Sequence, residues 1–353
     1  MNWSTPAGWG GDAMLTKYLN KVLARRDLTP AEMEEAFRVI TGGEVAHSQI
    51  GAFLAALRMK GESCAELVGA ARMLRRAAAF IDCGGREVVD VVGTGGDGSD
   101  SFNISTTSAF VAAGAGVTVA KHGNRAASSK CGSADVLNAL GCNLDAPPSV
   151  IEYAISEHGI GFLYAQKLHP VLANVAVIRR ELKLRTIFNM LGPLCNPAGA
   201  RSIVLGVYAP EMTELFAGAL LELGVRRAMV VHGLDGIDEI SCAAPTRVSE
   251  LRDGAIRTRE LQPEMLLERT YDAKELKGGD PQRNAEILLS VLDGSDQGAP
   301  RAAVLLNAGA TVYVAGGAET LEEGIRKAAG SIDSGAALGK LKTLVEVSHG
   351  TRA

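Results

Sequence analysis

Aromatic residues are scarce in this 353-residue chain, 5% of it against 47% hydrophobic residues overall. A core with so few rings must be built from aliphatic side chains, and the 41 glycines point to many loops and close helix–sheet contacts. Cysteine is sparse as well. Cys64, Cys83, Cys131, Cys142, Cys195 and Cys242 are scattered without a CxxC pair, which fits neither a zinc ribbon nor a disulfide framework. Free thiols in a reducing compartment are the simpler reading. No HExxH, GxSxG or GxxxxGK[ST] element occurs, so zinc hydrolysis, serine-hydrolase chemistry and P-loop nucleotide hydrolysis lose their signatures. The net charge of −4 argues against a protein that coats nucleic acid through a broad basic surface, while leaving room for a local cationic pocket. The longest small and apolar stretch, Ser108–Ala120, is too short to span a bilayer. The N-terminal MNWSTPAGWGGDAM lacks the basic-then-apolar order of a signal peptide. The expectation is a soluble, cytoplasmic protein.

What is present divides the chain in two. Residues 1–14 are Gly-rich and polar and read as poorly ordered. From Leu15 to about Ile81 the hydrophobic period is helical, with Leu15, Leu19, Val22 and Leu23 on one stripe. Thr29-Pro30-Ala31-Glu32 reads as a capping box with proline at the first helical position. From Val88 onward, strand-like runs at 88–92, 117–121, 161–165, 202–208 and 228–232 alternate with helical segments. That alternation predicts a central, mostly parallel sheet with helices on both faces. Short strands are expected around 246–257, and helices again near 281–292, 299–310, 320–332 and 335–345. The expected division is a helical domain at 1–85 and an α/β domain at 86–353. A proline-broken apolar segment, about 184–200, returns to pack near the helices.

The densest information lies in Val88–Arg125. A β-branched run ends in Gly93-Thr94-Gly95-Gly96-Asp97, and a second strand-like run ends in Lys121-His122-Gly123-Asn124-Arg125. Two parallel strands thus deliver a glycine-rich loop and a cationic loop to one sheet edge, the edge where open α/β sheets bind ligands. Glycines let main-chain N–H groups approach phosphate oxygens, and a helix start near Ser105 adds further donors. Asp97 repels phosphate and suits a ribose hydroxyl, a metal-bound water or the loop itself. Lys121 and Arg125 offer charge, and His122 is as well suited to packing as to ligand contact. The adjacent carboxylates Asp238 and Glu239 are either an ordinary surface pair or hold a Mg²⁺ ion by one or two carboxylates, the ion keeping waters and substrate phosphate oxygens as its other ligands. Arg179 and Arg180 point about 100° apart on one helix, so only one can face a site.

Together these elements resemble the anthranilate phosphoribosyltransferase family. The resemblance rests on GTGGD at 93–97, NIST at 103–106, KHGNR at 121–125, GSADVL at 132–137, RTIFN…LGPL…NP at 185–197 and DEIS at 238–241. It implies a small helical domain on a large α/β domain of the nucleoside phosphorylase/phosphoribosyltransferase type, paired as a homodimer through the helical domains. It also implies Mg²⁺-dependent transfer of the ribosyl phosphate of phosphoribosyl pyrophosphate (PRPP) to anthranilate, in tryptophan biosynthesis. By motif match, PRPP is expected at Gly93, Gly96, Asp97, Ser101, Asn103, Ile104, Ser105, Thr106, Lys121, His122, Gly123, Asn124, Arg125, Ala126, Ala127, Ser128, Ser129 and Ser133. Magnesium is expected at Ser105, Asp238 and Glu239, and anthranilate at Gly93, Asn124 and Arg179 with His122 and His169 nearby. No residue is assigned as a general base. Gln166, Leu172, Lys183 and Ala244 depart from the family's common residues. The competing readings are a pyrimidine-nucleoside phosphorylase, which KHGNR and DEIS disfavour, and a non-catalytic nucleic-acid-binding paralogue, which the acidic balance disfavours. No nucleic-acid or membrane partner is expected.

Overall fold

The structure, a computed structural model, describes residues 10–126 and 129–350, with side chains from residue 14 onward. Two compact units emerge, one made of residues up to Ala79 with Gln166–Cys195, the other of Phe80–Ala165 with residues from Asn196 on.

The first unit is helical: α1 (Gly10–Leu23), α2 (Pro30–Thr41), α3 (His47–Lys60) and α4 (Cys64–Ala77). The Thr29 capping box is present, with Thr29 Oγ1 accepting the Glu32 N–H at 3.3 Å and Glu32 Oε2 accepting the Thr29 N–H at 2.8 Å. A second box at Ser63 and Glu66 starts α4. Glu66 is fully buried, yet its carboxylate is met by the N–H groups of Leu28 and Ser63 and by Lys60 Nζ, as burial of a charge demands. The helix α1 starts at Gly10, before the stripe that predicts it, because the two opening glycines read as loop. The return segment begins at Gln166, earlier than expected. There the Asn174 amide donates to the Thr41 carbonyl at 2.8 Å, and Phe188 packs on Phe37 with ring centroids 5.2 Å apart. Residues 170–182 do not form one helix: a 3₁₀ stretch (Pro170–Val175) precedes a separate short α-helix (Ala176–Leu182).

The second unit holds, in the order β3-β2-β1-β4-β5-β6-β7 among the described residues, a seven-stranded sheet. Its elements begin with β1 (Val89–Gly93), α5 (Ile104–Gly114), β2 (Val119–Gly123), α6 (Ser133–Ala139), α7 (Pro148–His158) and β3 (Ile160–Tyr164). The chain then leaves for the first unit through α8 (Ala165–Leu168), α9 (Ala176–Leu182) and α10 (Phe188–Leu191), and the second unit resumes with β4 (Ser202–Gly206), α11 (Met212–Glu222) and β5 (Arg227–Gly233). The hairpin β6 (Thr246–Arg252) and β7 (Ala255–Leu261) precedes α12 (Pro281–Leu292), α13 (Ala299–Val314), α14 (Leu321–Asp333) and α15 (Ala336–Ser348). Strands β1 to β5 run parallel, and β6 and β7 are antiparallel. The sheet is therefore mostly parallel, as alternation predicts.

Its core is aliphatic: α13 contributes Val304, Leu306, Ala308 and Val312, all fully buried, beside Val89, Val119, Val204, Met229 and Val231 from the strands. Because β2 lies on one side of β1 and β4 on the other, the strand order reverses at β1. Open sheets bind ligands at such a reversal, beyond the carboxyl ends of the strands.

Candidate active site

The loop after β1 takes its path from glycine. Gly95 and Gly96 have φ of 67° and 72°, a region where a side chain would meet the following carbonyl. The turn brings the Gly95 N–H to within 2.7 Å of Asp238 Oδ2, and Asp97 Oδ2 accepts the Asp238 N–H at 3.2 Å. Glu239 Oε1 accepts the N–H of Ser105, in the first turn of α5, at 3.1 Å. The acid pair, 143 residues from the glycine loop in sequence, is therefore seated on that loop and on the helix start. It is no surface pair, since both carboxylates are buried.

Close approach is enforced by two strand-end glycines. A Cβ at Gly93 would lie 2.3 Å from Asp238 Oδ2, and one at Gly206 would lie 1.6 Å from the Asp238 carbonyl oxygen. Gly206 carried no site signal in the sequence, where it was one glycine ending a β-branched run.

Electrostatics at this spot is lopsided. Burial pushes the Asp238 carboxyl well up, and the Asp97 charge pushes it further. Burial and Asp238 raise Glu239 in the same way, with Lys121 opposing. Lys121 is itself buried, and burial lowers its ammonium against the pull of Asp90 and Glu239. Its Nζ donates to the Val91 carbonyl at 2.7 Å and approaches Ser105 Oγ at 3.4 Å. Lys121 thus offers its charge from a buried position at the end of β2.

The other expected residues fall into groups. Asn124 and Arg125 are exposed on the second loop. Arg125 pairs with Asp135 Oδ1 at 2.9 Å and donates to Tyr164 Oη at 3.1 Å. The same Asp135 carboxylate accepts the N–H groups of Ala126 and Gly132 at 2.8 and 2.9 Å, closing the loop onto the start of α6. Ser133 Oγ accepts the Asn124 N–H at 3.2 Å. Ser129 is exposed, while Ala127 and Ser128 lie outside the described residues. Asn103 is engaged with the Cys131 carbonyl and the Asn284 amide, and Ser101 bridges to Lys277. Ile104 and Thr106 are buried, Ile104 in the apolar core; any ligand contact by Ile104 must be through its main chain.

His122 is buried too, and its N–H donates to Asp90 Oδ1 at 3.1 Å. Asp90 is itself fully buried inside β1, where burial pushes its carboxyl up to about 6 against the opposing pull of Lys121, Asn196 and the His122 N–H. Sequence reasoning passed over Asp90. The signal was there, a lone acid in the run Val88-Val89-Asp90-Val91-Val92 that has to find partners once buried.

Arg179 and His169 belong to the first unit. Arg179 is half-buried with its guanidinium 5.3 Å from the Phe188 ring centroid, whereas Arg180 is exposed. Burial holds the His169 imidazole down to about 4, so it is neutral near pH 7.

Residues 16–78 match the helical bundle domain of a glycosyl transferase family, and residues 85–338 match that family's a/b domain. Anthranilate phosphoribosyltransferase of Syntrophobacter fumaroxidans is 54% identical over 336 residues, 95% of this chain and 99% of the relative. The crystal structure of anthranilate phosphoribosyltransferase from Thermus thermophilus superposes with a TM-score of 0.89 at 43% identity, covering 94% of this chain and 99% of that one. The Saccharomyces cerevisiae enzyme in complex with PRPP and Mg has a TM-score of 0.87 at 29% identity, covering 96% and 99%.

Proposed function

The chain belongs to the anthranilate phosphoribosyltransferase family, a pentosyltransferase that moves the 5-phosphoribosyl group of PRPP to the amine of anthranilate in tryptophan biosynthesis, and we propose that the strand-end crevice of the second unit is its PRPP site. The observation that carries this reading is the seating of Asp238 and Glu239 against the N–H groups of Gly95 and Ser105. It gathers an anion-binding loop, a helix start and two acids around one point.

In the proposed arrangement the pyrophosphate lies against the Gly93–Asp97 loop and the start of α5, where main-chain donors other than the Gly95 and Ser105 N–H groups held by the two acids face growing negative charge. The C1–O bond of the ribose breaks with oxocarbenium character, the aryl nitrogen bonds to C1, and the amine releases its proton; no side chain is assigned to take it. Anthranilate's amine is a poor nucleophile, so its orientation beside the ribose supplies much of the rate, a part assigned here to Asn124. Arg179 suits the acid group because a guanidinium matches a carboxylate with two parallel hydrogen bonds.

Mg²⁺ fits the donor set. Asp238 and Glu239 are buried carboxylates pushed up by burial and by neighbouring acids, a strain that a hard cation relieves, and Ser105 Oγ adds a neutral oxygen. Among the described residues no group of three or more His, Cys, Asp or Glu side chains is placed to hold a metal alone. Two carboxylates completed by water and substrate oxygens agree with the usual manner of Mg²⁺ binding. When bound there, the ion would neutralise charge on the departing pyrophosphate.

We further propose that two copies pair through the helical unit, where Leu23 and Met59 are 62% and 82% exposed. A cytoplasmic setting agrees with all six cysteines being free. Among the described residues no helix is long and apolar enough to cross a membrane. The test of the function is loss of anthranilate fluorescence with PRPP, with and without Mg²⁺. Turnover requiring both is expected. Inactivity on anthranilate together with release of free base from thymidine and phosphate would overturn the assignment.

A further inference from the structure

Between β1 and β2 the sheet is held by side chains where a strand ladder would normally be. Among the described residues β1 pairs with β4 at five positions and β2 with β3 at five, but β1 pairs with β2 at one, Val89 with Val119. Past that point the main-chain groups of the two strands face a seam. The His122 N–H donates to Asp90 Oδ1 at 3.1 Å, the Ala120 carbonyl accepts from Asn196 Nδ2 at 2.8 Å, and that amide also donates to Asp90 Oδ2 at 2.7 Å. On the β1 side, the Val91 carbonyl accepts from Lys121 Nζ at 2.7 Å. Every one of these groups is buried, so each bond forms where water offers no substitute. The seam ends where β1 gives way to the glycine loop and β2 to the Asn124–Arg125 loop.

We propose that Asp90 and Asn196 are positioning residues for PRPP: by replacing the ladder between β1 and β2 they hold the two phosphate-facing loops apart at the spacing the sugar diphosphate needs. A direct ladder would draw the strand ends to about 4.8 Å and close the crevice. The carboxylate is required because Asp90 accepts on both oxygens, from a main-chain donor and from an amide. Asparagine at 90 can accept on only one of the two, and its own NH₂ must confront a donor on the other side. Asn196 is required because a single NH₂ group serves Asp90 and Ala120 together. This proposal rests on the PRPP reading of the site.

The test compares the full-length wild type with Asp90→Asn and Asn196→Ala, the second variant guarding against misfolding of the first. Steady-state anthranilate consumption with Mg²⁺, thermal unfolding and amide hydrogen exchange over residues 119–126 are measured on each. The expected result is a KM for PRPP raised at least tenfold, a KM for anthranilate at saturating PRPP within threefold of wild type, and exchange at His122 at least tenfold faster with β4 unchanged. Variants that lose thermal stability but keep both KM values and the His122 exchange rate would overturn the proposal, as would equal rises in the two KM values. A wild type inactive on PRPP and anthranilate would instead overturn the functional reading, and the exchange arm would still decide whether the seam holds the loop.

Discussion

Alanine at Gly206 is the smallest change that attacks the acid pair without touching it. Its Cβ would lie 1.6 Å from the carbonyl oxygen of Asp238, 2.5 Å from the carbonyl carbon and 3.3 Å from the Cα. All three are backbone atoms, so no side-chain rotation relieves the clash. Restoring an ordinary contact of about 3.4 Å requires the Asp238 segment or the end of β4 to move by nearly 2 Å. A shift of that size breaks the Gly95 N–H bond to Asp238 at 2.7 Å and the Ser105 N–H bond to Glu239 at 3.1 Å. Overpacking of this kind costs about 1–3 kcal/mol of stability. Misplacement of a catalytic constellation by ~1 Å costs on the order of a hundredfold in rate, or about 3 kcal/mol of transition-state stabilisation. Gly206→Ala is therefore expected to remain folded with a lowered melting temperature, to lose about two decades in kcat/KM, and to need more Mg²⁺ for half-maximal rate. The assay is anthranilate fluorescence over a Mg²⁺ titration at fixed PRPP. A variant within threefold of wild type in kcat/KM would refute the claim that Gly206 seats the acid pair.

Three further outcomes follow from other parts of the molecule. Arg179→Ala is expected to raise the KM for anthranilate at least tenfold and that for PRPP less than threefold in the same assay; equal rises would argue against a carboxylate role. Gly339 in α15 and Gly330 in α14 have open space where a Cβ would go, so alanine at either should add about 0.5–1 kcal/mol in urea unfolding, and a loss of stability would contradict the packing described. His169 is held down to about 4 by burial against about 6.5 when unfolded. The unfolded chain therefore binds the extra proton first, and stability falls as pH drops from about 6.5 through 4, by about 3 kcal/mol over the window. His169→Gln should flatten that part of the urea-unfolding profile; an unchanged slope would dismiss His169 as its cause.

The sheet was legible because its strands are β-branched runs bounded by glycine, as at Val88–Gly93, with helical periods between them. The hairpin β6–β7 showed only as short strands, since Arg, Glu and Thr fill its exposed face and blur the apolar alternation. The split at 170–182 was hidden because a 3₁₀ stretch and an α-helix share an apolar pattern. Lys183 stands where the family favours glycine, and the structure gives the reason: it caps α9 with φ of 48°, the left-handed region. At the site, the sequence carried the identities of the groups but not their direction. Asp238 and Glu239 read equally as a surface pair or metal ligands, and only the Gly95 and Ser105 contacts reveal that they are buried against the glycine loop and the start of α5. Lys121 read as a residue offering charge, but the sequence did not say that it would do so from a buried position. Only the hydrogen bond from its Nζ to the Val91 carbonyl shows that it turns inward onto β1. Gly206 was invisible for a similar reason, its partner being 32 residues away and defined by backbone proximity alone.

The central claim is that the glycine loop, the cationic loop and the acid pair make one metal-assisted PRPP pocket. Diffraction from crystals grown with PRPP and Mn²⁺ in place of Mg²⁺, recorded at the manganese edge, tests it most directly. The account predicts an anomalous peak within coordination distance of Asp238 and Glu239 and pyrophosphate density against Gly93–Asp97. A manganese peak elsewhere, or PRPP bound away from the ends of β1 and β2, would contradict it.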